Sequence, residues 1–110
     1  MSATAIQSNS KTVSEVVLAS VSFAGKLDAG EKLTGVPTID VVSGFTFSNA
    51  SVSTAILTIN NKSVPIGEAI QFKIVGGTVG SYVIPVSCDT DSTPAQTRRG
   101  KLLLTVESDA

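Results

Sequence analysis

The chain is written in short segments whose side chains alternate between apolar and polar, the period of a half-buried β-strand. In residues 16–23, Val17, Ala19, Val21 and Phe23 share one face, and Leu18, Ser20 and Ser22 the other. Residues 32–42 form a second extended stretch that contains Pro37. Proline cannot donate to a ladder, so Pro37 predicts an edge strand or a bulge. Phe45, Thr46 and Phe47 make a brief extended piece, and residues 48–51 read as a turn. A strand follows over residues 53–60, with Ala55, Leu57 and Ile59 alternating against Thr54, Ile56 and Thr58. Asn60, Asn61 and Lys62 predict a tight turn, because Asn tolerates positive φ. Residues 63–66 form a short strand that Gly67 ends as a corner. Residues 69–75 place Ile70, Phe72 and Ile74 inward, with Gln71 and Lys73 outward. Beyond the corner Gly76-Gly77-Thr78-Val79-Gly80, residues 81–89 put Tyr82, Ile84, Val86 and Cys88 on one face, and Pro85 again signals an edge or irregularity. Residues 90–100 read as an exposed hairpin loop, and residues 101–107 close the pattern with Leu102, Leu104 and Val106 inward.

No window of a dozen residues carries helical periodicity, and Val and Ile are abundant, as suits a pleated surface. About seven strands, with turn signals about every 8–12 residues, predict an all-β fold: an immunoglobulin-like antiparallel β-sandwich over residues 15–110. Residues 1–14 are polar, rich in Ser, Thr and Asn, and predict a flexible N-terminal arm. The antibody hallmarks are missing, since there is one cysteine and no tryptophan. The core must therefore come from aliphatic side chains with Phe23, Phe72 and Tyr82.

Composition removes most chemistry. The 110 residues include no histidine, 8 Lys plus Arg and 9 Asp plus Glu, for a net charge of -1. Charged residues are 15% of the chain, against about 25% in an average soluble domain. Ser and Thr take their place. Without histidine there is no imidazole base and no nucleophilic triad of the usual kind. One cysteine permits neither an internal disulfide nor a cysteine zinc site. Near-zero net charge gives no long-range field for nucleic acid or an anionic membrane. The chain is expected to be no enzyme, with no catalytic, cofactor-binding or metal-binding residues and no cofactor.

Individual motifs point the same way. Gly76-Gly77-Thr78-Val79-Gly80 lacks the Lys-Ser/Thr ending of a phosphate loop and reads as a turn. Asp89-Thr90-Asp91-Ser92 lacks the remaining ligands of a calcium loop and reads as solvated. Arg98, Arg99 and Lys101 form a small basic cluster, expected at a solvated hairpin tip or in a salt bridge to a neighbouring subunit. Phe45 and Phe47 read as core or interface residues rather than a sugar-stacking pair, and Cys88 as a small buried hydrophobe. The start, MSATAIQSNSKTVSE, has neither the basic stretch nor the apolar run of a secretory signal, and no stretch is long enough for a membrane span. The expectation is folding in the compartment of synthesis, a cytoplasm.

Three segments carry a resemblance. Val21-Ser22-Phe23 leads into Leu27-Asp28-Ala29-Gly30-Glu31. A strand through Phe72 enters the Gly76-Gly77-Thr78-Val79-Gly80-Ser81-Tyr82 turn, and Arg99-Gly100-Lys101-Leu102 opens the last strand. Over residues 16–107 this resembles the small immunoglobulin-like virion proteins of tailed bacteriophages, whose pattern runs L-x-x-G-[DE] and then G-G-T-x-G-x-x-Y. Here one residue rather than two separates Gly80 from Tyr82. The resemblance implies a virion structural protein. The leading form is a capsid decoration or cement protein that binds and stabilises the head, assembled in the host cytoplasm. Its partners would be the major capsid protein, other virion proteins and further copies of itself as a homo-oligomer, with no nucleic acid or membrane. A head-completion, neck or tail protein is the alternative, and a carbohydrate-binding adhesin module a further one.

Overall fold

Strands form at nine places in the computed structural model, which describes residues 5–27, 30–59 and 61–109. They are β1 (Ala5–Thr12), β2 (Val17–Ser22), β3 (Leu33–Ile39), β4 (Phe45–Val52), β5 (Leu57–Ile59), β6 (Lys62–Val64), β7 (Ala69–Gly76), β8 (Gly80–Thr90) and β9 (Thr97–Glu107). A four-stranded sheet has the order β1-β9-β8-β3, a three-stranded sheet the order β2-β7-β4, and β5-β6 is a separate hairpin. The described residues contain no helix, and hence none long and apolar enough to cross a membrane.

One core joins the two larger sheets. Ala19 and Val21 of β2 and Ile70, Phe72 and Ile74 of β7 come from one side. Ile84, Val86 and Cys88 of β8 and Leu102, Leu104 and Val106 of β9 come from the other, with Phe23 and Leu33 completing the set. These are the positions that period-2 alternation assigns inward. Tyr82 is half-buried and packs on the same core. A smaller cluster of Ile59, Val64 and Ala69 lies under the β5-β6 hairpin.

Several expectations change. About seven strands become nine among the described residues, and the pairing is not wholly antiparallel, because β1 runs parallel to β9. The segment expected as a flexible polar arm over residues 1–14 is strand from Ala5 to Thr12, in continuous register from Ala5↔Gly100 to Thr12↔Glu107. Residues 1–4 lie outside the described ones. The physical reason is that ladder bonds join backbone groups, so a polar segment pairs as well as an apolar one when an edge is open.

Residues 48–51, expected as a turn, lie inside β4. There the register with β7 shifts between Ser48 and Ser51, and Asn49 takes φ 55. A bulge thus carries the turn chemistry without ending the strand. The strand expected over residues 53–60 shrinks to Leu57–Ile59, and Asn60 lies outside the described residues. The long loop expected over residues 90–100 shrinks to residues 91–96, since β8 reaches Thr90 and β9 begins at Thr97. It contains a cis Thr93–Pro94 bond.

The two strand prolines divide. Pro37 sits in edge strand β3, where the register shifts between Thr34 and Thr38, as a proline there predicts. Pro85 instead sits in β8, an interior strand. Its carbonyl accepts from Asp40 N at 3.0 Å. The N and C=O of one strand residue face the same neighbour, so its missing donor points toward Asp40, just past the end of β3. No ladder bond to β9 is lost.

Candidate docking face

The motifs that suggested chemistry are each absorbed by the fold. Gly76-Gly77-Thr78-Val79-Gly80 is the corner between β7 and β8. Gly77 has φ +98, and a Cβ there would come within 2.5 Å of Phe45 Cε1. The glycine exists to let Phe45 lie against the corner. Tyr82 Oη donates to the Thr78 carbonyl at 2.9 Å, which anchors the same corner. Phe45 packs edge-on to Tyr82 at 4.9 Å and stacks with Phe47 at 5.8 Å, and Phe47 is edge-on to Phe72 at 5.7 Å. Phe45 and Phe47 therefore extend the core, as expected, and do not form an exposed sugar platform.

The Asp89-Thr90-Asp91-Ser92 run holds its own hairpin. Asp89 Oδ1 accepts from Thr97 Oγ1 at 2.8 Å, Asp91 Oδ1 accepts from Lys32 N at 2.9 Å, and Thr90 Oγ1 lies 2.8 Å from Ser92 Oγ. Among the described residues no three His, Cys, Asp or Glu side chains come together to hold a metal.

The basic cluster is split. Arg98 is not at a solvated tip and does not await a neighbouring subunit. It is buried and bonds to Glu31 Oε1 through Nη2 at 2.8 Å and Nε at 3.0 Å. Next to it, Lys32 pairs with Glu68. Arg99 and Lys101 alternate to the outer side of β9. Cys88 is buried, and burial raises its thiol pKa, with the Asp89 charge adding to the rise; its Sγ donates to the Thr34 carbonyl at 3.4 Å.

What remains is a surface. The outward positions of β1, β9 and β8 line up in rows across the four-stranded sheet. One row is Ile6–Lys101–Pro85, the next Ser8–Leu103–Val83, and the next Ser10–Thr105–Ser81. Ile6 is 55% exposed and Val83 53%. Pro85 and the half-buried Leu103 join them, so apolar side chains flank Lys101 and fill the neighbouring Leu103–Val83 pair, with Ser8, Ser10, Ser81 and Thr105 beside them. A shallow depression of about 410 Å³ runs over that pair, lined by Ser8, Ser81, Val83, Leu103 and Thr105 among others. Lys101 stands between Ile6 and Pro85, and Arg99 follows at the next outward position of β9, so the face is basic at that end and uncharged around Val83 and Leu103, where covering it removes little strongly hydrated surface from water.

Sequence reading assigned no residues to this face. Val83 and Leu103 stand at outward positions where alternation calls for polar residues, and that is the readable signal. Ile6 joins them only through the pairing of β1 with β9. No protein-family model matches the chain, and no curated protein matches it significantly.

Proposed function

We propose that the chain is a structural subunit of a tailed-bacteriophage virion, an immunoglobulin-like β-sandwich that decorates the head and stabilises it by packing against the major capsid protein and copies of itself. The observation that carries this reading is the Gly76-Gly77-Thr78-Val79-Gly80-Ser81-Tyr82 segment, which bears the family resemblance. Its Tyr82 hydroxyl bonds back to the Thr78 carbonyl at the start of β8. A bond of this kind is found at the tyrosine corner of immunoglobulin sandwiches, where the tyrosine stands near the start of the sixth strand, and it supports the immunoglobulin-like reading. The strand orders support the same reading. β2-β7-β4 corresponds to the B-E-D set and β3-β8-β9 to the C-F-G set, with β1 added beside the last strand.

The outer face of the four-stranded sheet supports a packing role. It offers Ile6, Val83, Pro85 and Leu103 amid small hydroxyl side chains and the cations Lys101 and Arg99, and a subunit that works by contact needs no more chemistry than that.

The test is quantitative mass spectrometry of virions purified from the protein's source. Hundreds of copies per particle are expected for decoration, whereas about 6–12 copies mark a head-completion, neck or tail ring instead. Absence of the chain from the virion overturns the proposal.

A further inference from the structure

Strand β1 is joined to the rest of the molecule in an unusual way. Among the described residues it pairs only with β9, along its whole length and in parallel. Yet over residues 6–12 it adds no apolar side chain to the core. Its buried inward residues are Gln7 and Lys11, and its one large hydrophobe, Ile6, faces outward. Lys11 Nζ is held by main-chain carbonyls, those of Thr12 at 2.6 Å, Val13 at 3.0 Å and Gly76 at 2.8 Å. The strand is thus attached by backbone ladder bonds and a lysine clamp, while the core closes without it.

The connection to β2 is short: Val13 packs on the core and its N donates to Glu107 O at 3.0 Å, and past it the bonds lie at the surface. Glu15 N donates to Thr12 O at 3.2 Å, Thr12 N donates to Glu15 Oε1 at 2.6 Å, and Ser14 N donates to Asp109 Oδ1 at 3.2 Å. Ser14, Glu15 and Asp109 are all exposed, so water replaces these bonds readily when the connection straightens.

We infer that β1 is an exchangeable strand and that copies of this chain associate by docking β1 of one onto β9 of another. When β1 leaves, the β9 edge from Gly100 to Glu107 is left open, a template for another strand. The segment that restores every ladder bond and the Lys11 clamp in register is β1 of a second copy. The contacts are identical in the closed and exchanged forms, and only the connection over residues 13–16 differs. Exchange of an identical element is for that reason a low-cost route to association. The inference concerns the free protein and does not rest on the virion reading.

The register gives the test. Ser10 and Thr105 are paired and exposed. Ser10→Cys and Thr105→Cys are made in separate full-length chains, mixed in equal amounts, refolded together from urea and oxidised. A disulfide-linked heterodimer of twice the chain mass is expected on a non-reducing gel. The out-of-register mixture of Ser10→Cys with Arg99→Cys should give none above background. A second measurement is free of disulfide geometry: refolding ¹⁵N-labelled with ¹³C-labelled chains should give interchain NOEs between the α-protons of β1 and β9. Such NOEs support exchange whichever way the gel falls. Their absence, with β1-β9 NOEs found only within one chain, overturns it.

Discussion

Arg98 and Glu31, 67 positions apart in the chain, meet with almost no water between them and the interior. The arginine side chain is 8% exposed and the glutamate 2%. Two guanidinium nitrogens share the Oε1 atom, so the pair ties the start of β9 to the segment that leads into β3. Removing one partner strands the other charge in a dry site. Arg98→Met should therefore cost about 3–5 kcal/mol in urea unfolding. Arg98→Met combined with Glu31→Leu should regain most of that loss, because a buried pair replaced by apolar side chains is near neutral.

Tyr82 holds the β7–β8 corner through a single hydroxyl. Tyr82→Phe keeps the edge-on contact with Phe45 and loses only the hydroxyl's contacts with the Thr78 carbonyl and Oγ1. The expected loss is about 0.5–1.5 kcal/mol, read as a lower urea midpoint with an unchanged slope.

Gly77 is doubly constrained, by φ +98 and by the Phe45 ring. Gly77→Ala should lose about 1–3 kcal/mol to backbone strain alone, with the ring clash added to it. In the double variant Gly77→Ala/Phe45→Ala the clash is gone and the strain persists. The double-mutant cycle should show a favourable coupling between the two changes, measured by thermal or urea unfolding.

Cys88 should be protected in the folded chain. Burial raises its thiol pKa, so native alkylation should be slow at mildly alkaline pH and should accelerate on adding denaturant. The pH dependence has a definite sign. A raised native pKa means that the unfolded chain ionises first. The contribution to stability is whole below the ordinary thiol range and is lost as pH rises through the native value. Cys88→Ala should flatten that alkaline loss.

The outer face of the four-stranded sheet should matter for association and not for folding. Leu103 is on that face, between the buried Leu102 and Leu104. Leu103→Glu should change unfolding free energy by about 0.5 kcal/mol or less. If the face packs against other subunits, the same variant should lower particle binding at least tenfold in a sedimentation assay.

Legibility in the sequence followed the kind of interaction. The inward positions of β7, β8 and β9 were readable because burial imposes a period of two on consecutive residues. Strand β1 was not, since Gln7, Ser8, Asn9 and Ser10 carry no such period and join the sheet through their backbone. Pro85 misled because its consequence depends on which neighbour its nitrogen faces, and β3 ends just before that point. Arg98 misled because its partner lies 67 positions away. The apolar part of the docking face was half readable: Val83 and Leu103 break the alternation, but their placement side by side is a matter of register.

By itself, then, the sequence determined that the chain is all-β, which side chains of β2, β7, β8 and β9 point inward, where glycine corners interrupt the strands, and that the chain carries no histidine and no pair of cysteines. These follow from local rules, each acting within a few residues. Only the tertiary structure decided that β1 pairs in parallel with β9, that Arg98 finds Glu31, and that Ile6, Val83, Pro85 and Leu103 share one patch. The physical reason is that every backbone offers the same donors and acceptors. Which strands pair, and in what register, is settled when distant segments bury their apolar faces together.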